Sequence, residues 1–182
     1  MNFYLAHRIK SRSRKLTGVL LALFCLLACQ KNFAQCTVCT THILGLDSGT
    51  YTVTIGQTLC VDSTGVLAGT VILNGGTICN KGVFKPGTLT LTSGTFYNYG
   101  SAAVTSNVTF GSSLSWTNYG GSILNLEGSL TVSGATVSND GILNVETTLT
   151  FSSGSFSNSN IINCSSLTGS GTISNTGTIK SD

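Results

Sequence analysis

Three groupings of residues in this chain have the types and spacing to do chemistry. Cys36-x-x-Cys39, with His42 three residues on, offers two thiolates and an imidazole to a metal, or two thiols to a redox couple. Glu127 and Glu146 lie 19 apart, each after an apolar residue in the same local phrase. Two carboxylates about 5 Å apart suit a retaining glycosidase. Tyr97, Tyr99 and Tyr119 present ring faces of the kind that hold sugars and partner surfaces.

Each grouping also has a plainer reading. Zinc takes about four ligands and no fourth lies near Cys36, Cys39 and His42; a thioredoxin-like pair needs a βαβ context that is absent. Thr40 follows Cys39 where a haem-attachment motif needs His. The expectation is a small Cys36–Cys39 disulfide loop capping the first repeat, with His42 a surface or cap residue. The acids Asp47, Asp62, Glu127, Asp140, Glu146 and Asp182 are scattered, and no Arg or His accompanies the Glu pair. A solvated outward face is expected for it, and hence no enzyme, no cofactor and no metal.

The elements that must hold these residues are set by a repeat. An apolar-Thr-apolar phrase recurs from Val53, Val71, Leu89, Val108, Leu130, Leu149 and Leu167, at spacings of 18, 18, 19, 22, 19 and 18. Its Asn-x-Gly-like end recurs at Asn80, Asn98, Asn118, Asn139, Asn158 and Asn175, at 18, 20, 21, 19 and 17. Such units are too short for helical repeats, and inside them apolar residues alternate with Thr at the strand period of two. The expected fold is all-β: a right-handed parallel β-solenoid of about seven coils of 18–22 residues, roughly 34 Å long at a strand spacing of about 4.8 Å. The runner-up is an antiparallel β-sandwich or barrel, which fixed residue columns disfavour.

Stacking turns these spacings into columns. Leu59, Ile78, Phe96, Trp116, Val137, Phe156 and Ile173 make one apolar column for the core, and Val53 through Leu167 another. Leu126, Val145 and Cys164 are equivalent, which makes Cys164 a small buried hydrophobe. The Asn side chains are expected to bond the matching Asn one coil away, with the glycine taking the positive φ of the corner. A second polar column is Asn125, Asn144 and Asn163. Cys60 and Cys79 lie 19 apart in the column of outward Tyr97 and Thr117, close enough in neighbouring coils for a disulfide between them; free or otherwise paired thiols are the alternative.

Residues 1–35 read as an export signal. Five basic residues precede the apolar run Leu16–Ala28, which is too short to span a bilayer. The stretch "NFAQC" resembles the signal-peptide ends of proteins secreted by some Gram-negative bacteria, placing cleavage near Ala34 or Gln35. The alternative is "LLAC", which resembles a lipoprotein box with residues 1–28 removed and Cys29 lipidated; membrane attachment is expected only then. Secretion or the cell surface is thus expected, with an outer-membrane lipoprotein as the alternative. Beyond residue 35 three lysines face six acids, a formal charge of −3, and there is no arginine, which argues against nucleic acid. The remaining chain divides into an N-terminal cap segment, 36–52, and solenoid repeats, 53–182.

Across nearly the whole mature chain the repeats resemble those of secreted bacterial parallel β-helix adhesins. The resemblance is one of class and carries no functional residues over. It implies a structural or adhesive module. Two other readings compete: glycan binding through Tyr97, Tyr99 and Tyr119, and ice binding through a hydroxyl ladder of Thr88, Thr90, Thr92, Thr109, Thr131, Thr148, Thr150 and Thr168, which resembles the Thr-x-Thr arrays of solenoid antifreeze proteins. An open strand edge at the last coil adds an expectation of self-association there, alongside a cell-surface glycan as partner.

Overall fold

The computed structural model of the chain describes residues 36–182; the expected export signal, 1–35, and Cys29 lie outside the described residues. From Thr41 onward the chain winds into a parallel β-solenoid of about seven turns, with three short strands per coil. The first coil holds β1 (Thr41–Ile43), β2 (Leu46–Asp47) and β3 (Thr50–Thr54). The second holds β4 (Thr58–Val61), β5 (Val66–Leu67) and the first half of β6 (Thr70–Asn80). Then come β7 (Val83–Phe84), β8 (Thr88–Asn98), β9 (Ser101–Val104), β10 (Val108–Gly111), β11 (Leu114–Asn118) and β12 (Ile123–Leu126). The last are β13 (Leu130–Asn139), β14 (Ile142–Asn158), β15 (Ile161–Thr168), β16 (Ile173–Asn175) and β17 (Thr178–Ser181). The stretch 41–52, expected as part of a cap, is thus already coil.

Every strand pairing is parallel, each strand with its counterpart one coil away. This makes three faces in chain order. The first carries β1, β4, β11 and β16, the second β2, β5, β7, β9, β12 and β17, and the third β3 and β10, while β6, β8, β13 and β15 bend across one corner and β14 runs over all three faces.

The core is the stack of inward columns. Leu59, Ile78, Phe96, Trp116, Val137 and Phe156 are in register and buried, with Ile173 half-buried at the end. Phe96 lies flat on Trp116, ring centroids 3.9 Å apart, and Trp116 stacks again on Phe110 at 4.7 Å. Leu126, Val145 and Cys164 also align, and Cys164 is a buried free thiol packed as a small hydrophobe. The second apolar column needs one correction. Val71 pairs with Tyr51, and Val53 pairs with Leu73, so Val53 stands two residues out of the expected column. Alternation repeats every two residues, so a slip of two keeps the same face inward and is invisible to pattern alone.

The Asn residues form a buried ladder. Asn80 Nδ2 donates to Asn98 Oδ1 at 2.7 Å, and the same bond runs on through Asn118, Asn139, Asn158 and Asn175 at 2.7–2.8 Å. The second amide hydrogen goes to a backbone carbonyl, that of Ile123 from Asn98 and Ile142 from Asn118. All donors point toward the C-terminal end. The Asn125–Asn144–Asn163 ladder runs the other way, each Nδ2 donating back toward Asn125 at 2.7 Å. At the start of the main ladder Asn80 Oδ1 is buried without a partner, because the residue beneath it is Val61.

The glycines of Asn-x-Gly act differently from the expectation. None of Gly82, Gly100 and Gly141 has positive φ. A Cβ on Gly82 would run into the carbonyls of Asp62 and Gly65, and one on Gly100 into that of Gly82. Close stacking of backbone on backbone sets these glycines, and positive φ belongs mainly to the corner between third and first faces, as at Gly75 and Gly94, with Gly121 the exception at the lengthened Asn118 corner.

Candidate functional site

Four of the five described cysteines are in disulfides, and Cys164 is free. Cys39 bonds Cys60, with Cα atoms 5.8 Å apart and a sequence separation of 21. Cys36 and Cys79 are also disulfide-bonded. The expected Cys36–Cys39 loop and Cys60–Cys79 bridge are therefore both corrected. Cys60 and Cys79 are indeed partners in the parallel ladder. In-register neighbours lie within Cα reach of a disulfide, but the bond also needs the side-chain torsions to aim the sulfurs at each other, and Cys60 turns to Cys39. The segment leading into β1 instead reaches Cys60 from its own side. His42 is half-exposed in the Cys60 column, and its Nδ1 lies 2.8 Å from an Asp62 carboxylate oxygen, within hydrogen-bond distance.

Asp47 accepts hydrogen bonds from the Gly49 amide and the Tyr51 hydroxyl, both 2.7 Å, which hold its carboxyl below the usual range. Asp140 accepts from Ser159 Oγ at 2.6 Å. Glu127 and Glu146 follow the registered pair Leu126 and Val145 and are both exposed, at the corner between second and third faces. Among the described residues no three His, Cys, Asp or Glu side chains gather as a metal-holding group.

The tyrosines do come together. Tyr99 and Tyr119 occupy the middle position of Asn-x-Gly in neighbouring coils, and their rings stack 4.2 Å apart at 5°. Tyr97, on the first face, leans on Tyr119 at 6.1 Å and 45°. Lys81 precedes this pair in the corner column and Asp140 follows it. Desolvation, then a hydrogen bond with Tyr119, raises the Tyr99 phenol far above its ordinary range; desolvation also raises Tyr97. Stacking covers one face of Tyr99 and one of Tyr119, the Tyr99 hydroxyl is buried, and both rings remain part-exposed.

The hydroxyl array is real in part. Thr109, Thr131, Thr150 and Thr168 stand in one registered column, with Thr150 and Thr168 hydroxyls 3.0 Å apart. Thr148 faces Ser166. Thr88 faces Thr70, but Thr90 faces Ile72, and Thr92 lies at a shift of register where Asn74 meets Ser93. Thr50 and Thr52 extend the array at the N-terminal side, a continuation that the phrase Thr50-x-Thr52-x-Thr54 carries in the sequence. The ladder thus falls into two blocks, before and after the lengthened fourth repeat.

One feature was missed from sequence. The second face turns a column of aliphatic residues outward, and its signal is the phrase Ile-Leu-Asn at 123 and 142, continued as Ile-Ile-Asn at 161, spaced 19 and 19. Comparison with family models, curated proteins and solved structures finds no match.

Proposed function

We propose that this chain is an exported, non-catalytic structural or adhesive β-solenoid of the cell surface or extracellular space. The observation that supports it best is the internal bracing of the rod. A continuous apolar core, a buried Asn ladder and disulfides on the first coils make a stiff spacer of short repeats. Disulfides persist in oxidising compartments, which fits export. Two of the three faces turn mainly hydroxyls to water, as a wet display surface does. Antibody labelling of intact and permeabilised cells tests the reading, combined with thiol alkylation without reductant. Label seen only after permeabilisation, with Cys39 and Cys60 open to alkylation, would sink it.

Two more specific readings each have an observation in favour. The Tyr99–Tyr119 stack with Tyr97 beside it favours a glycan contact. A glycan array should then lose signal on a Tyr97/Tyr99/Tyr119→Ala triple variant, and unchanged binding rejects the patch. The registered Thr109–Thr168 column favours ice. Absence of thermal hysteresis at high protein concentration removes that reading.

A further inference from the structure

The three faces of the solenoid differ in what they turn outward. On the first face Thr58, Thr77, Thr95, Ser115, Thr136 and Ser155 follow one another in register. On the third face the corresponding residues are again mostly Thr and Ser. On the second face the column reads Leu46, Val66, Val83, Ser101, Ile123, Ile142, Ile161. Leu46 is 81%, Val83 39% and Ile123 37% exposed. Thr, Val and Ile are all β-branched and favour strands alike. Strand propensity therefore does not explain why one face holds aliphatics where two hold hydroxyls; the stripe, interrupted at Ser101 and half-buried at Val66, Ile142 and Ile161, is the most apolar outward column of the rod and a candidate contact surface.

The charges around this stripe identify what it contacts. All three lysines beyond residue 35 border the second face: Lys81 at its entry corner, Lys85 and Lys180 in the outward column beside the stripe. None makes an ion pair within the described residues. Asp140 stands in the same corner column as Lys81, three coils further on, and Glu146 lies at the exit corner of that later coil. Two copies laid face to face and antiparallel keep each column over itself while reversing the order of coils. The coil of Lys81 and Lys85 then lies over the coil of Asp140 and Glu146, twice by symmetry. In the same superposition Val83 meets Ile142, Val66 meets Ile161, Ser101 meets Ile123, Ala103 meets Asn125 and Ala68 meets Asn163, so apolar and small residues lie along the seam and no like charges are opposed.

We propose that the second face is an isologous dimer interface, joining two copies of this chain side by side and antiparallel through Val66, Val83, Ile123, Ile142 and Ile161, with Lys81 and Lys85 of each copy against Asp140 and Glu146 of the other. At about 4.8 Å per coil and a width of about 15 Å including both corners, seven coils cover on the order of 500 Å² per copy. A pair buries about 1,000 Å², the lower edge of specific interfaces, so the dimer is weak and reversible. It is distinct from stacking through an open end coil, and it does not depend on the export reading.

Sedimentation equilibrium of the oxidised full chain, from about 1 µM to about 1 mM, measures it. The expected result is a monomer–dimer equilibrium whose Kd rises about tenfold or more with Ile142→Lys. Ile142→Thr, which keeps strand propensity, weakens it in the same direction, and Thr131→Lys on the third face leaves it unchanged. Lys81→Glu/Lys85→Glu and Asp140→Lys/Glu146→Lys each weaken self-association, and an equimolar mixture of the two restores it, because every opposed pair regains opposite signs. A monomer over the whole range overturns the proposal. So does a dimer indifferent to Ile142→Lys and Ile142→Thr, which places the contact elsewhere, or a mixture that fails to restore association.

Discussion

Replacing Asn118 with Ala tests the ladder at its centre. Asn118 Oδ1 accepts from Asn98 Nδ2 at 2.8 Å and from Ser122 Oγ at 2.7 Å; its Nδ2 donates to Asn139 Oδ1 at 2.8 Å and to the Ile142 carbonyl at 3.0 Å. The substitution strands one hydrogen of Asn98 and the side-chain oxygen of Asn139, in residues at most 1% exposed. A buried polar group left unpaired costs about 1–3 kcal/mol, so the loss should be about 2–6 kcal/mol. That is a large share of the roughly 5–15 kcal/mol that holds a typical domain together. Asn80→Val is the internal control. It abolishes the unpartnered Asn80 Oδ1, creates one such group at Asn98, and gives up the bond to the Ser101 carbonyl, for a net cost of about 1 kcal/mol. Solenoids open by parts, so urea unfolding should be read together with hydrogen exchange of the coils on either side of residue 118. If Asn118→Ala costs no more than Asn80→Val, the ladder is ornamental to stability and the reasoning fails.

Removing the Cys39–Cys60 bond by Cys39→Ala should cost about 3 kcal/mol for a closed loop of this length, with hydrogen exchange rising across Thr41–Thr54 and staying slow across Leu130–Asn158; a uniform rise would contradict the local staple. Gly82→Ala should destabilise by about 1–3 kcal/mol or more through collision with the Asp62 and Gly65 carbonyls. Gly111→Ala, with open space around its Cα, should be neutral or stabilising by up to about 1 kcal/mol, and equal effects in thermal unfolding would refute the stacking account. Because the Tyr99 phenol is raised in the fold, its contribution to stability is fully present below the ordinary phenol value near 10 and is lost as pH climbs toward the folded value. Denaturant midpoints of the wild-type chain should therefore fall faster above about pH 10 than those of Tyr99→Phe; parallel curves would remove Tyr99 from the account.

The coil period, the first-face core column and the Asn ladder were all legible before any coordinates, for one physical reason. Parallel stacking makes each coil the template of the next, so large or polar residues that must touch recur at one spacing. Reading failed where recurrence carries no geometry. Val53 and Tyr51 both fit the alternating pattern, so the pattern alone does not decide that Tyr51 lies beside Val71. Cys60 and Cys79 were correctly neighbours, yet neighbourhood says nothing about the direction of their sulfurs, and Cys39 took the bond. The glycines after the Asn were assigned to the wrong cause because Gly serves both positive φ and close approach with the same letter. The patch of Tyr99 and Tyr119 was legible as a pair, but its ring-on-ring stacking was not, since spacing fixes Cα positions and leaves side-chain torsions open.

The uniform direction of the main ladder gives the rod an arrow. Each carboxamide passes a proton-bearing edge forward and receives one from behind, so the six amide dipoles add head to tail along the column. The two ends of the column therefore differ: an oxygen is left over at Asn80, while the last N–H edge, at Asn175, turns aside to the Gly177 carbonyl.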